Sequence, residues 1–181
     1  IALAYTALIF LTMGIVSAYL VGFIEDRFYK GMETRLEEEA GLVGESMISF
    51  LYPTPDLESL HEASIRASVI IGGDKNQSSR ITIIDSSGTV LSDSSIDPLS
   101  LPNQSYNEEF INAISVGLGR DMRQSIHDSD NVLYTAVPIV LDDKVIGVSR
   151  IGLPLRELRS SINRILGTIA VSALVVAFLS V

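Results

Sequence analysis

Charged residues are absent from both ends of this 181-residue sequence. All 13 basic and 22 acidic residues lie between Glu25 and Arg164. A helix needs about 20 apolar residues to cross the hydrocarbon core of a bilayer. Residues 1–24 supply that length, and residues 165–181 reach the short end of the spanning range with the apolar pattern still running. We therefore predict two transmembrane helices, 1–24 and 165–181, the second of which continues beyond the sequence.

The first apolar segment has a second interpretation, which is a cleaved secretory signal peptide. The apolar core of such a peptide is shorter, at roughly 7 to 15 residues, and a small-residue A-x-A site marks the cleavage point. Residues 1–24 exceed that length, and no clear site of this kind precedes Glu25. The sequence favours an uncleaved membrane anchor.

The segment between the two apolar ends is acidic. The chain has a formal net charge of -9, which disfavours nucleic acid and anionic lipid surfaces as partners. Lys and Arg are usually enriched on the cytoplasmic side of membrane helices, so an acidic segment suits the opposite side. We predict a multi-pass protein of the cell membrane in which residues 25–164 form an extracytoplasmic domain.

Helical periodicity continues past the first apolar segment. Apolar residues recur at steps of three and four, the spacing of one helix face, which predicts a long membrane-proximal helix over residues 25–50. The stripe consists of Phe28, Met32, Leu36, Ala40, Val43, Met47 and Phe50. A second helix is predicted to begin with Thr54 as its N-cap and Pro55 as its first residue, and to end at Gly72.

Short segments rich in β-branched residues follow and predict a sheet over residues 80–153. One short helix, with Phe110, Ala113 and Ile114 facing inward, interrupts them. The predicted elements are a hairpin of Ile81–Asp85 and Thr89–Asp93, the helix Tyr106–Val116, and a meander of Arg120–Ile126, Val132–Val140 and Lys144–Leu153. This order predicts an α+β domain, an antiparallel five-stranded sheet with helices on one face.

The C-terminal part is predicted to be helical. Pro154 is expected to begin an exit helix, 154–164, that runs into the second apolar segment. Apolar residues at steps of three and four cross that boundary without a break and form a predicted signal-transmission seam of Leu155, Leu158, Ile162, Ile165 and Ile169. Such a seam favours helix pairing in a homodimer.

The motifs that would indicate catalysis or metal binding are incomplete. His61-Glu62 lacks the second histidine of a zinc protease, and His127–Asn131 lacks the glycine and the terminal glutamate of a calcium loop. No phosphate-binding G-K-[ST] motif occurs, no serine lies in G-x-S-x-G, and there are no cysteines. We predict no catalytic residues, no metal site and no cofactor, which disfavours a membrane-anchored enzyme.

Three polar or charged residues of the predicted strands are candidates for ligand binding. Arg123, Tyr134 and Arg150 lie in strands that together are rich in Val, Ile and Thr, and two guanidinium groups with a phenol could bind an anion. An antiparallel sheet often has one solvated face, so the alternative is that all three simply face water. The ligand-binding prediction rests on these three residues.

Four segments resemble the bacterial sensor histidine kinases, most closely those of the phosphate-regulon type. The pattern ITIID-x-x-G-x-VL-x-D-S begins at Ile81, and GV-x-R-x-x-LPL begins at Gly147. The remaining two segments are Asn107–Ala113 and Leu133–Pro138. The resemblance covers residues 80–165 well and the N-terminal helices only in layout.

This resemblance implies a PAS-like or Cache-like sensor domain between two transmembrane helices of a dimer. It also implies a two-component phosphorelay in which the kinase residues follow a linker beyond this sequence, so none is assigned here. Related chemoreceptors and cyclases have similar domains, and either is an alternative. A further alternative is a membrane-anchored module that binds an extracytoplasmic protein and no small ligand.

Overall fold

The structure of the chain is a computed structural model. It describes residues 2–72, 79–125 and 131–155, together with residues 167, 168 and 171. The chain divides into two compact units, Ile1–Glu33 with Leu158–Val181, and Thr34–Glu157. Each unit is described by itself.

The first unit is helical over residues 2–33. Helix α1 begins at Ala2 and ends at Leu51. Within the described part of the chain, no helix combines the length and the apolar character needed to cross a membrane. Most of residues 165–181 lie outside the described part, and both transmembrane helices stay predictions.

In the second unit, a stripe of apolar side chains buries one face of α1. The stripe consists of Leu36, Ala40, Val43, Met47 and Leu51, each at most 8% exposed. Gly44 brings the helix close to the sheet, since a Cβ there would lie 3.2 Å from Cγ1 of Ile139 and 3.3 Å from Cβ of Ser149. Four residues of the predicted stripe therefore pack against the domain core, and Leu51 takes the place of the predicted Phe50, which is only partly buried.

Helix α2, Leu57–Gly72, returns alongside the sheet. Its N-cap is Asp56, whose Oδ1 accepts the backbone N–H of Ser59 at 3.2 Å. Hydrogen bonds from Ser59 lower the pKa of Asp56. The predicted N-cap, Thr54, is wrong because a carboxylate two residues later caps the helix better than a threonine hydroxyl. Further along α2, the buried hydroxyl of Ser64 accepts a hydrogen bond from the hydroxyl of Ser92 in the sheet at 2.9 Å.

Five antiparallel strands form one sheet in the order β2-β1-β5-β4-β3. The strands are β1 Arg80–Asp85, β2 Val90–Asp93, β3 Gly119–Gln124, β4 Asn131–Leu141 and β5 Lys144–Pro154. The predicted α+β class with its five-stranded antiparallel sheet is confirmed. A short 3₁₀ helix, Pro98–Ser100, lies between β2 and α3.

The last strand is longer than predicted. Pro154 pairs with Val132 of β4, and the N–H of Leu155 donates to the carbonyl of Asn131 at 2.9 Å. The prediction that Pro154 begins a helix is therefore wrong. A proline is tolerated here because the other neighbour, β1, pairs with β5 only as far as Gly152. The rest of the predicted exit helix lies outside the described residues.

The short helix α3, Glu108–Val116, ends at Gly117, which has φ of 87° and donates its N–H to the carbonyl of Ala113 at 3.1 Å. Phe110 and Ala113 are buried as predicted, but Ile114 is 38% exposed and does not face inward. Ile114 lies about 100° further round the helix than Ala113, which turns it toward solvent.

The two faces of the sheet carry different helices, and the structure differs here from the predicted arrangement with helices on one face. The long helices α1 and α2 share one face, where Gly44 and Ser64 make their contacts. Helix α3 covers part of the other, which we call the α3 face. There Phe110 and Ala113 form a buried cluster with side chains from three strands, Ile84, Ala136 and Val148. The α3 face also carries the polar residues described next.

Candidate ligand-binding site

The strand register gathers polar side chains on the α3 face. Successive side chains of a strand alternate between faces, and Arg150 is opposite both Ala136 of β4 and Thr82 of β1. Tyr134, two residues before Ala136, lies on the same face. It is opposite Asp121 of β3, so Arg123, two residues further along β3, is also on this face. All three predicted ligand-binding residues are therefore neighbours.

These residues line a cavity of about 210 Å³ at the edge of α3. The floor is the sheet, and one wall is the segment that connects β2 to α3. The lining residues are Arg80, Ser100, Leu101, Pro102, Asn103, Gln104, Asn107, Arg123, Gln124, Ser125, Tyr134 and Arg150. The structure brings together the three residues predicted from the sequence, and their role in binding stays a prediction.

Arg123 is held by two carboxylates and one aromatic ring. Its Nη1 and Nη2 donate to Oε2 and Oε1 of Glu109 at 2.6 and 2.7 Å, and Nη1 also bonds to Asp121. Its guanidinium carbon lies 4.3 Å from the centre of the Tyr134 ring. Burial alone would lower the pKa of Arg123, but the two carboxylates outweigh burial and raise it. Arg123 is therefore a fixed positive charge.

Arg150 is the most deeply buried cation of the site, with a side chain only 4% exposed. Its Nη1 donates to Oε1 of Gln104 at 2.7 Å and to Oε1 of Glu109 at 3.0 Å, and its Nη2 lies 3.3 Å from the hydroxyl of Thr82. The remaining group, Nε, has no hydrogen-bond partner among the described residues. Burial lowers the pKa of Arg150, and the charge of Glu109 opposes that shift.

An unpartnered buried side-chain N–H is uncommon in folded proteins, where the large majority of such groups are bonded. Nε of Arg150 is covered by the protein, and it is the one buried side-chain nitrogen or oxygen of the described lining residues that has no hydrogen-bond partner.

Glu109 joins α3 to both arginines, and sequence analysis missed it. Its side chain is completely buried. Burial would raise the pKa of this carboxyl, but the hydrogen bonds from Arg123 and the charge of Arg150 outweigh burial and lower it. Gly119 allows the close approach of α3, since a Cβ there would lie 1.6 Å from the carbonyl oxygen of Glu109.

A second buried acid, Asp93, was also missed. Its carboxylate accepts bonds from Nε of Arg80 at 2.8 and 3.0 Å and from the hydroxyl of Thr82 at 2.8 Å. It also accepts the backbone N–H groups of Ser95 and Ile96, both at 3.0 Å. Asp93 thus fixes Arg80 and the first turn of the connecting segment beside the cavity.

The connecting segment, residues 94–107, is attached to the β1–β2 turn. The backbone N–H of Gln104 donates to the carbonyl of Gly88 at 2.7 Å, and the side chain of Asn103 donates to the carbonyl of Ser87 at 3.2 Å. Gly88 has φ of 89°, and a Cβ there would lie 2.6 Å from both Oδ1 of Asn103 and N of Ser105. The turn therefore positions Gln104 against Arg150.

The predicted signal-transmission seam is described at one residue. Leu155 is 2% exposed, so its side chain is covered by its own chain. Leu158, Ile162, Ile165 and Ile169 lie outside the described residues. The seam stays a prediction for those four positions.

No family model matches the chain, and no curated protein matches it. Among solved structures, the extracellular domain of vpHK1S-Z8, assigned to the histidine kinases, gives a TM-score of 0.63 at 20% identity and covers 81% of this chain and 59% of that one. A domain of a sensory box/GGDEF family protein from Vibrio parahaemolyticus gives 0.58 at 20% identity and covers 90% and 65%.

The ligand-binding domain of the Campylobacter jejuni chemoreceptor Tlp3, in complex with 4-methylisoleucine, gives a TM-score of 0.59 at 12% identity and covers 78% of this chain and 57% of that one. The chain thus spans about three fifths of the length of the solved chains that it resembles. These likenesses show the fold, which is the α+β fold of PAS-like and Cache-like sensor domains.

Proposed function

We propose that this chain is the sensor region of a membrane receptor and binds a small ligand outside the cytoplasm, in the cavity on the α3 face. The observation that carries the proposal is the cavity lined by three arginines, one of which has a side chain only 4% exposed. An anionic ligand would form hydrogen bonds with these guanidinium groups. The extracytoplasmic location is supported by the acidic charge and by the extracellular domain among the similar structures.

For the output we propose a two-component sensor histidine kinase that acts as a homodimer. The support is the sequence resemblance of residues 80–165 and the likeness to a histidine kinase domain. The phosphate-regulon type rests on the sequence resemblance alone. The GGDEF protein and the chemoreceptor among the similar structures have other outputs, so the gene sequence downstream of Val181 tests this part of the proposal directly.

A signal would reach the membrane through the chain that follows β5. Ligand binding favours one of two arrangements of the domain and shifts their populations. We propose that the seam Leu158, Ile162, Ile165 and Ile169 carries this shift across the dimer. Insertion of one residue at Ser160 rotates the following helix by about 100° and is expected to uncouple or lock signalling in the complete receptor. Unchanged signalling would contradict the seam.

The binding proposal is tested by thermal unfolding of the whole 181-residue chain in detergent. Small anions, amino acids, divalent metals and buffers are each added at millimolar concentration. A compound that binds the folded state raises the unfolding midpoint by mass action. We expect a rise of several degrees for at least one compound, and a flat result across all four classes would contradict small-ligand sensing.

Two variants on strand β3 test whether the rise in the unfolding midpoint comes from binding in the cavity. Arg123→Gln removes a cavity cation, and Arg120→Gln is its matched control because Arg120 lies on the opposite face and pairs with Glu37 at 2.7 Å. Each variant is compared with its own ligand-free midpoint. We expect the rise to be lost in the first variant and kept in the second. A full rise in Arg123→Gln would place binding elsewhere.

A further inference from the structure

We propose that the ligand of this cavity is a small carboxylate that carries no positively charged group. This inference rests on the proposed ligand-binding function and narrows the class of ligand. It is carried by the distribution of charge around the cavity. Three guanidinium groups, those of Arg80, Arg123 and Arg150, line the cavity, whereas no aspartate or glutamate among the described residues does so.

The acids of the site lie behind the arginines and are already bonded to them. Both oxygens of Glu109 accept bonds from Arg123, and Oε1 also accepts from Arg150. Both oxygens of Asp93 accept bonds from Arg80. The side chains of Glu109 and Asp93 are completely buried. A third acid, Asp121, is bonded to Arg123, is 22% exposed and does not line the cavity. An ammonium group in the cavity would therefore meet guanidinium groups first, and each of the three carboxylates is already bonded to an arginine.

The aromatic ring of the site is not a free binding position for an ammonium group either. A cation can bind to the face of a tyrosine within about 6 Å of the ring centre. The guanidinium carbons of Arg123 and Arg150 already lie 4.3 and 5.1 Å from the centre of the Tyr134 ring. A third cation at this ring would be repelled by two like charges in a partly buried site.

A carboxylate, in contrast, matches the charge of the cavity lining. Arg80, Arg123 and Arg150 line the cavity, and charge-assisted bonds from a guanidinium to a carboxylate are among the strongest hydrogen bonds in proteins. The cavity volume of about 210 Å³ is below the roughly 300 to 1,000 Å³ of typical ligand pockets. A short carboxylate therefore fits both the charge and the size.

Matched pairs of compounds test this inference by isothermal titration of the whole chain in detergent. Each pair shares a carbon chain and differs by one ammonium group: acetate and glycine, propionate and β-alanine, butyrate and 4-aminobutyrate, succinate and aspartate. We expect at least one pair in which the compound without the ammonium group binds at least tenfold more tightly. Equal or tighter binding of the amino compound in every pair that binds overturns the inference and leaves small-ligand sensing intact.

If no member of any pair binds, the inference is overturned, and small-ligand sensing then depends on the other compounds of the thermal experiment. Stabilisation by an amino acid and by none of the carboxylates, lost in Arg123→Gln, would overturn only the inference. The two proposals therefore fail in distinguishable ways.

A charge-altering variant gives a second, independent test. Gln104→Glu replaces the amide oxygen that lies 2.7 Å from Nη1 of Arg150 with a carboxylate of nearly the same shape. It is expected to weaken binding of the preferred carboxylate at least tenfold and to reverse the preference within its pair. Leu99→Glu is the control, since Leu99 is 94% exposed, lies on the same segment and adds the same charge.

Both variants are first checked for an unfolding midpoint near that of the parent chain. Carboxylate binding that is unchanged in Gln104→Glu, or weakened equally in Leu99→Glu, would show that charge at the cavity does not select the ligand and would overturn the inference.

Discussion

Glu109 and Arg123 form two parallel hydrogen bonds, at 2.6 and 2.7 Å, between the first turn of α3 and the strand β3. The carboxylate is completely buried and the guanidinium is about one third exposed. The same carboxylate accepts a bond from Arg150 of β5. One acidic side chain therefore fixes the positions of two cations that line the cavity, and several consequences can be measured.

Glu109→Gln should be strongly destabilising. The substitution removes the negative charge between two cations and leaves their buried charge uncompensated, for which the typical loss is about 3 to 5 kcal/mol. Urea unfolding of the whole chain measures the change. Glu108→Gln is the matched control because Glu108 is exposed on the same helical turn, and it should change stability by less than about 0.5 kcal/mol.

Protonation of Glu109 should lower the stability of the fold in acid. The folded-state pKa of Glu109 lies below the ordinary value of 4.5, so its ionisation stabilises the fold above pH 4.5. That contribution is lost as the pH falls from 4.5 toward the lowered pKa. The difference in unfolding free energy between the parent chain and Glu109→Gln should shrink over this range. A difference that stays constant or grows on acidification would contradict the ion-pair account.

Gly88→Ala should cost more stability than Gly117→Ala. Both glycines have positive φ, 89° and 87°, and an L-residue in that conformation costs about 1 to 2 kcal/mol. Only at Gly88 would the new Cβ also collide, at 2.6 Å, with Asn103 and Ser105. Urea unfolding should show a loss for Gly88→Ala at least twice that for Gly117→Ala.

The same pair of variants should separate binding from stability. Displacing residues 94–107 moves Gln104 away from Arg150, so Gly88→Ala should also weaken ligand binding. Gly117→Ala strains α3 at its far end, where nothing lies within 4 Å of the new Cβ, and should leave binding unchanged. Equal effects on binding would show that the connecting segment does not shape the cavity.

The inward face of α3 can be checked with two truncations. Phe110 is 5% exposed in the core cluster, whereas Ile114 is 38% exposed. Phe110→Ala should cost about 3 to 5 kcal/mol because it leaves a cavity, and Ile114→Ala should cost less than about 1.5 kcal/mol. Similar losses for the two variants would restore the predicted inward position of Ile114.

The sheet could be predicted from sequence because its signal is local. β-branched residues, the turn at Gly88 and the turn before Lys144 mark the strands within about two residues. Tyr134 and Arg150 could be recognised because phenolic and charged groups are uncommon in strands rich in Val, Ile and Thr, whereas Arg123 lies in a polar strand that gives no such signal. That the three residues are neighbours could not be predicted, because it depends on the strand register. Strands β4 and β5 pair along ten positions, and the sequence alone does not fix that alignment.

The acids of the site were harder to recognise. In the sequence, Glu109 resembles any acidic residue in the first turn of a helix, where a negative charge interacts favourably with the helix dipole. A usable signal exists, because Glu109 precedes the inward-facing Ala113 by four residues and therefore shares its face. Asp93 gives no comparable signal, since its partner Arg80 lies across a hairpin. Pro154 was misassigned because strand pairing with Val132, a tertiary contact, outweighed the local preference.

The most direct test of a carboxylate at Arg150 is ¹⁵N–¹H NMR of the arginine Nε–H groups. Spectra of the whole chain are recorded with and without the tightest-binding carboxylate of the acetate-to-succinate panel, and Arg150→Lys assigns the resonance. We predict that the resonance of the Arg150 Nε–H shifts on saturation, because a carboxylate bonded to this guanidinium changes its electronic environment, while the resonance of Arg66, exposed on α2, does not change. An Arg150 resonance that stays unchanged at saturation would contradict the account.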